Sequence, residues 1–310
     1  MEFERWFSTE DACRTYLKRL RWPEGFICPR CGYREAWETG RGLLHCRGCG
    51  ADVSVTTGTI FHRSHIPLRL WFRAMWGITN QKSGISAAGL QRTLGFGSYR
   101  TAWTCLHKLR HAMVRKGRDR LKGKTEVDET FIGGVEPGAG RRRLGKTKAL
   151  VAIAAEAKGR RGIGRIRLKQ IPNASETSLL GFIKEAVAPG ALVVTDGWPS
   201  YQGLTDIGYA HRPRVARTSE KDVTTLMPRV HRVAALLKRW LLGIHQGRVS
   251  HIQLGHYLDE FAFRFNRRKS RNRGKLFYRL VQQAVMIDPV PYRQLAGAQN
   301  CGNVCAPSAT

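Results

Sequence analysis

Two kinds of side chain in this sequence carry the means to do chemistry: paired cysteines near its start and isolated carboxylates inside later apolar runs. Cys28-x-x-Cys31 and Cys46-x-x-Cys49 are separated by 14 residues in FICPRCGYREAWETGRGLLHCRGCG. Each pair falls on a glycine-containing turn that points both sulfurs inward, and four thiolates close a tetrahedral shell around zinc. A shell filled by sulfur leaves no position open to substrate, so one structural Zn²⁺ is expected, and so small a module needs it to fold. A redox role fits worse, because two pairs at this spacing are not a lone motif before a helix. Cys13, Cys105, Cys301 and Cys305 share no such pattern, and no role follows for them.

The carboxylates sit differently. ALVVTDGW reads as a buried strand that ends on Asp196 and a turn-permitting glycine, and TEVDETFIGG places Asp128 inside an apolar alternation. An acid before glycine can simply cap its own turn. In a strand, however, Glu126 and Asp128 share one face while Glu129 points away. Carboxylates converging in a sheet repel one another unless a cation neutralises them. Two divalent ions roughly 3.5–4 Å apart do so and clamp the attacking and leaving oxygens of a phosphoryl transfer. Hard oxygen ligands select Mg²⁺ or Mn²⁺ for such a site. A third pattern, GRRRLGKT at 140–147, matches the phosphate-loop spacing, but a strand follows it where a helix is needed, so it reads as a basic glycine-rich loop.

The elements that must position these groups change texture along the chain. Residues 1–25 read as an amphipathic helix, 26–52 as the zinc ribbon, and 53–116 as helical, with a break at Gly95-Phe96-Gly97 and Ser98 as N-cap. That helix pair is helix-turn-helix-like, with Tyr99, Arg100, Thr104, His107, Lys108 and Arg110 as the polar reach of its second helix. Residues 117–290 then give three strands, a helix capped by Ser175, the strand ending in Asp196, and two helices near 224–243 and 251–269. A loose tail is expected from 291 to 310. The expected fold class is therefore α+β and multidomain. Lys and Arg total 53 against 23 Asp and Glu, a net charge of +30, which points to a polyanionic partner. Nucleic acid outranks membrane, because no apolar run approaches the roughly 20 residues that span a bilayer. The start of the chain also lacks the basic-then-apolar order of a signal peptide.

The order β-β-β-α-β-α, with acids on its first and fourth strands, resembles the ribonuclease-H-like fold of DDE transposases. The stretches GTIFHRSHIPLRLWF, SYRTAW, VDETFIGG, TDGWPSY and YLDEFAFRFNRR are similar to bacterial insertion-sequence transposases with an N-terminal zinc ribbon, over roughly residues 26–285. The resemblance implies two Mg²⁺ or Mn²⁺ ions, with Asp128 and Asp196 as the first two ligands. It also implies cleavage and strand transfer at terminal inverted repeats, double-stranded transposon-end and target DNA as partners, a homo-oligomer on that DNA, and a cytoplasmic, nucleoid-bound location. A ribonuclease-H-like nuclease or junction resolvase, which would cut without joining, is the alternative enzyme. A zinc-ribbon regulator is the non-enzyme alternative.

The third ligand is open between Asp259, Glu260 and Asn266. Leu254, Leu258, Phe261 and Phe265 form one apolar stripe, with Asp259 and Glu260 on opposite flanks, so periodicity alone does not choose. Arg264 and Arg267 share the flank of Glu260, and the resemblance at YLDEFAFRFNRR favours Glu260. The candidate DNA contacts are Arg100, Lys108, Arg141, Arg142, Arg143, Lys146, Arg264, Arg267 and Arg268.

Overall fold

The computed structural model describes residues 2–81, 83–115, 117–133, 148–215, 226–247 and 249–297. The N-terminal segment is two helices, α1 (Glu2–Trp6) and α2 (Glu10–Arg21), where one was expected. Thr9 makes the break: its side chain accepts the Ala12 N–H and caps α2. A three-stranded antiparallel ribbon follows, β1 (Ala36–Glu38), β2 (Leu44–Cys46) and β3 (Asp52–Val53). Then come α3 (Leu68–Asn80), α4 (Ala87–Leu94) and α5 (Tyr99–Ala112). Gly95 closes α4 in the left-handed region at φ 68°, and Ser98 caps α5 by accepting the Thr101 N–H at 3.1 Å. Leu17, Leu44, Ile60, Trp71, Phe72 and Leu106 belong to one core, so the ribbon docks on the helices and does not stand alone.

The second unit is a five-stranded mixed sheet in the order β6-β5-β4-β7-β8. Its strands are β4 (Lys124–Ile132), β5 (Ala149–Lys158), β6 (Gly162–Ile171), β7 (Leu192–Thr195) and β8 (Ala210–Pro213). The β6-β5-β4 side is antiparallel, and β4, β7 and β8 are parallel. Three helices cover it: α6 (Glu176–Ala186), capped by Ser175, α7 (Pro228–His245) and α8 (His251–Asn266). Apolar alternation divides the strands. Val127, Leu150, Ala152 and Ala154 face α6, whereas Val151, Ile153, Ala155 and Ile166 face α7 and α8. The short strand β8 was not anticipated, since AHRP carries no alternation of its own.

The expected boundary at residue 290 moves. After α8 the chain returns to the first unit as α9 (Arg273–Ala284), whose Phe277, Leu280, Val281 and Ala284 enter the N-terminal core. The tail begins with a further turn of helix, α10 (Tyr292–Leu295), in which Leu295 is buried and Tyr292 packs on Trp103. Among the described residues no helix is long and apolar enough to cross a membrane.

Candidate active site

The ribbon brings its four cysteines together. All four sulfurs lie within 4.8 Å of one another, with Cys28 Sγ 3.8 Å from Cys49 Sγ and Cys31 Sγ 3.6 Å from Cys46 Sγ. Local backbone geometry explains the convergence. Gly32 and Gly50, at φ 76° and 66°, donate their N–H groups back to the carbonyls of Cys28 and Cys46 and close each knuckle. Four thiolates at this spacing fit one zinc ion, and no coordination position is left for a reactant.

The sheet brings the two aspartates together. β4 and β7 pair in parallel from Lys124↔Leu192 to Glu126↔Val194, and two more steps of that register set Asp128 level with Asp196. Asp128 faces the α7 side, opposite Val127. There His231 of α7 places Nδ1 3.7 Å from Asp128 Oδ2, too long for a direct hydrogen bond. Its other ring nitrogen, Nε2, is buried without a hydrogen-bond partner. Burial pushes the Asp128 carboxyl up to about 7, and repulsion from Glu129 and then Asp196 adds to the shift. Lys238, two turns along α7 from His231, is the nearby cation that opposes it. Asp196 also acts as a turn cap, since the Trp198 N–H donates to its Oδ1 at 3.0 Å. Asp128 and Asp196 are hard oxygen donors of the kind that binds a divalent cation, with the His231 ring beside Asp128; among the described residues only the four cysteines converge as a group of three or more ligand atoms.

The remaining acids are occupied elsewhere. Glu126 caps α7: its Oε2 accepts the N–H groups of Arg229 and Val230 at 2.7 and 3.1 Å, and its Oε1 pairs with the Arg229 guanidinium at 2.7 Å. Glu129, on the α6 side, accepts the Tyr201 hydroxyl at 2.7 Å. Glu260, expected as the third ligand, is held by two cations. Its carboxylate is fully buried, with Arg110 Nε at 2.8 Å on one oxygen and Arg264 Nη1 at 3.4 Å on the other. A group so enclosed by two arginines joins α8 to α5. Asn266 is equally committed, pairing with both backbone groups of Ile166 at 2.7 and 3.1 Å along the edge of β6. Asp259 lies on the other flank of α8, where burial pushes its carboxyl up to about 7.

The basic candidates divide as sharply. Arg264 donates to the carbonyls of Ile78 and Gln81. Arg267 lies over the Phe263 ring and bonds the Phe263 carbonyl. Arg268 lies over Phe265 and bonds the carbonyls of Ile163, Gly164 and Phe265. Arg264 ties α8 to α3 and Arg268 reaches β6, whereas Arg267 folds back on the last turn of α8 itself. In α5, His107 and Arg110 are buried, so the expected recognition face shrinks to exposed Tyr99 and Arg100, with Thr104 and Lys108 half-buried. Arg100 stacks over Tyr292. Arg141, Arg142, Arg143 and Lys146, with the rest of the 140–147 loop, lie outside the described residues. Sequence reasoning did not single out His231, which the structure sets beside Asp128. Its one signal is that His231 and Lys238, seven apart in VHRVAALLK, share a flank beside the buried stripe of Val230, Val233 and Leu237.

Comparison with known proteins gives two domain matches. Residues 120–266 match the ISXO2-like transposase domain, and residues 8–52 match the transposase zinc-ribbon domain. A relative described as an uncharacterized protein in transposable element ISH50 of Halobacterium salinarum is 25% identical over 291 residues, covering 87% of this chain and 94% of its own length. A pre-cleavage Mos1 transpososome aligns over 69% of this chain and 78% of that one, at 13% identity and a TM-score of 0.29.

Proposed function

The chain belongs with the insertion-sequence transposases that carry an N-terminal zinc ribbon, and on that premise we propose that it cuts and joins DNA at its own element's terminal repeats. The observation that carries this reading is the approach of Asp128 and Asp196 on adjacent parallel strands, with His231 Nδ1 3.7 Å from Asp128 Oδ2. Asp128 and Asp196 are the first two ligands of a divalent pair, and His231 replaces Glu260 as the third. The two carboxylates suit Mg²⁺ or Mn²⁺. Such ions, when bound, polarise a phosphodiester and lower the pKa of an attacking water. The chain's own residues hold the site open: Glu126 fixes the first turn of α7, which keeps His231 facing Asp128, and Lys238 offers a cation to an incoming phosphate. The net charge of +30 supplies affinity for the DNA backbone, and such binding weakens steeply with salt.

Gel shifts and nicking assays on the element's own ends test the assignment. Asp196→Asn is expected to bind those ends and to lose Mg²⁺-dependent nicking. His231→Ala is expected to behave likewise. Nicking by Asp196→Asn at the wild-type rate would remove the aspartate pair from the chemistry, and full activity of His231→Ala would move the third ligand elsewhere.

A further inference from the structure

The ladder between β4 and β7 stops at Glu126↔Val194, so both aspartates lie beyond the last backbone pairing that could set the distance between them. A side-chain tie joins the two segments past that point. Tyr201 donates its hydroxyl to Glu129 Oε2 at 2.7 Å, linking the residue after Asp128 to the short 3-10 helix (Pro199–Leu204) that follows Asp196. Further bonds carry the connection back to Asp196. The Tyr201 N–H donates to the Trp198 carbonyl at 3.0 Å, and the Trp198 N–H donates to Asp196 Oδ1 at 3.0 Å. The tyrosine ring is fully buried in the α6-side core with Leu179 and Leu204, so its hydroxyl is held from a rigid base. Glu129 shares the strand face of Val127, on the opposite side from Asp128, so the same bond keeps this third acid turned away from the cation side.

We propose that Tyr201 and Glu129 are positioning residues whose hydrogen bond sets the separation of Asp128 and Asp196 and thereby the preference of the site for Mg²⁺. The inference rests on the reading of those aspartates as the metal-holding pair. Mg²⁺ demands near-ideal octahedral geometry at short distances, whereas Ca²⁺ accepts irregular shells at longer ones. Loosening the separation therefore penalises Mg²⁺ more than Ca²⁺, a signature that loss of general stability does not produce.

The experiment measures Mn²⁺ binding to the full-length, zinc-loaded protein by electron paramagnetic resonance, with Mg²⁺ and Ca²⁺ as competitors. Tyr201→Phe keeps the buried ring and removes only the hydroxyl. It is expected to weaken Mg²⁺ competition about tenfold, the low end for loss of an outer-sphere partner, and Ca²⁺ competition by less. Glu129→Ala should match it, and the double variant should lose no more than either alone, because one bond is shared. Glu129→Gln, which keeps an acceptor for the hydroxyl, should recover most of the affinity. Wild-type Mg²⁺ competition in Tyr201→Phe overturns the proposal. So does a loss in Glu129→Gln as deep as that in Asp196→Asn, which would make Glu129 a ligand in its own right. The Asp196→Asn control separates the two levels: if it binds Mn²⁺ as wild type does, the metal-holding reading itself fails, whatever the tyrosine does.

Discussion

Replacing Glu260 with glutamine is expected to damage the fold and spare the chemistry. The Glu260 carboxylate and the Arg110 guanidinium are 0% and 1% exposed, so solvent screens neither of them. Removing one partner of a buried ion pair costs about 3–5 kcal/mol, because the other charge is left without compensation in a poor dielectric. Arg110 would keep the His107 Nε2 contact at 3.2 Å and the Tyr257 ring 4.1 Å beneath it, and glutamine still offers one oxygen. The expected loss is therefore at the lower end, about 3 kcal/mol, a large part of the roughly 5–15 kcal/mol by which a domain is stable. Urea denaturation should show a lower midpoint with an unchanged slope, while nicking per folded molecule stays near wild type. Glu260→Met with Arg110→Met should recover most of the stability, since Arg264 retains its bonds to the carbonyls of Ile78 and Gln81. A Glu260→Gln protein of wild-type stability that no longer nicks DNA would refute the reasoning and return Glu260 to the active site.

Three further outcomes follow from the same structure. One zinc ion per chain is expected by elemental analysis, lost in Cys28→Ser, with a lower melting temperature that extends into α2 and α3 because ribbon and helices share a core. Stability should fall as pH drops below the ordinary histidine value. Burial pushes His107, His245 and His256 down to about 2, 3 and 4, so the unfolded chain takes up protons the folded one refuses. Each should remove about 1.4 kcal/mol per pH unit between pH 6.5 and its folded value, and urea midpoints that do not differ between pH 7 and pH 5 would exclude this. Gly84→Ala should destabilise by at least about 1 kcal/mol in the same assay, since Gly84 sits at φ +86° and a Cβ there would meet Arg264 Nη1 at 2.5 Å and Glu260 Oε1 at 2.7 Å.

What the sequence determined by itself is what neighbours along the chain can determine. The two C-x-x-C turns, the caps at Ser98 and Ser175, the strand that holds Asp128 and the one that ends before Asp196 each depend on residues within a few positions, where sterics and short hydrogen bonds operate. The third position could not be read in that way. On the helix 251–266, Asp259 and Glu260 look alike by periodicity, and they differ only because Arg110, 150 residues earlier, fills the space beside one of them. His231 carries no spacing relation to either aspartate, and the register of β4 on β7 together with the Glu126 cap on α7 brings it to the site. The arginines of α8 show the same limit, since a cation in a sequence meets a phosphate or a carbonyl equally well. Arg264 and Arg268 are taken up by the fold because packing left backbone carbonyls of other elements within their reach, and only tertiary structure decides which partner a long, charged side chain finds.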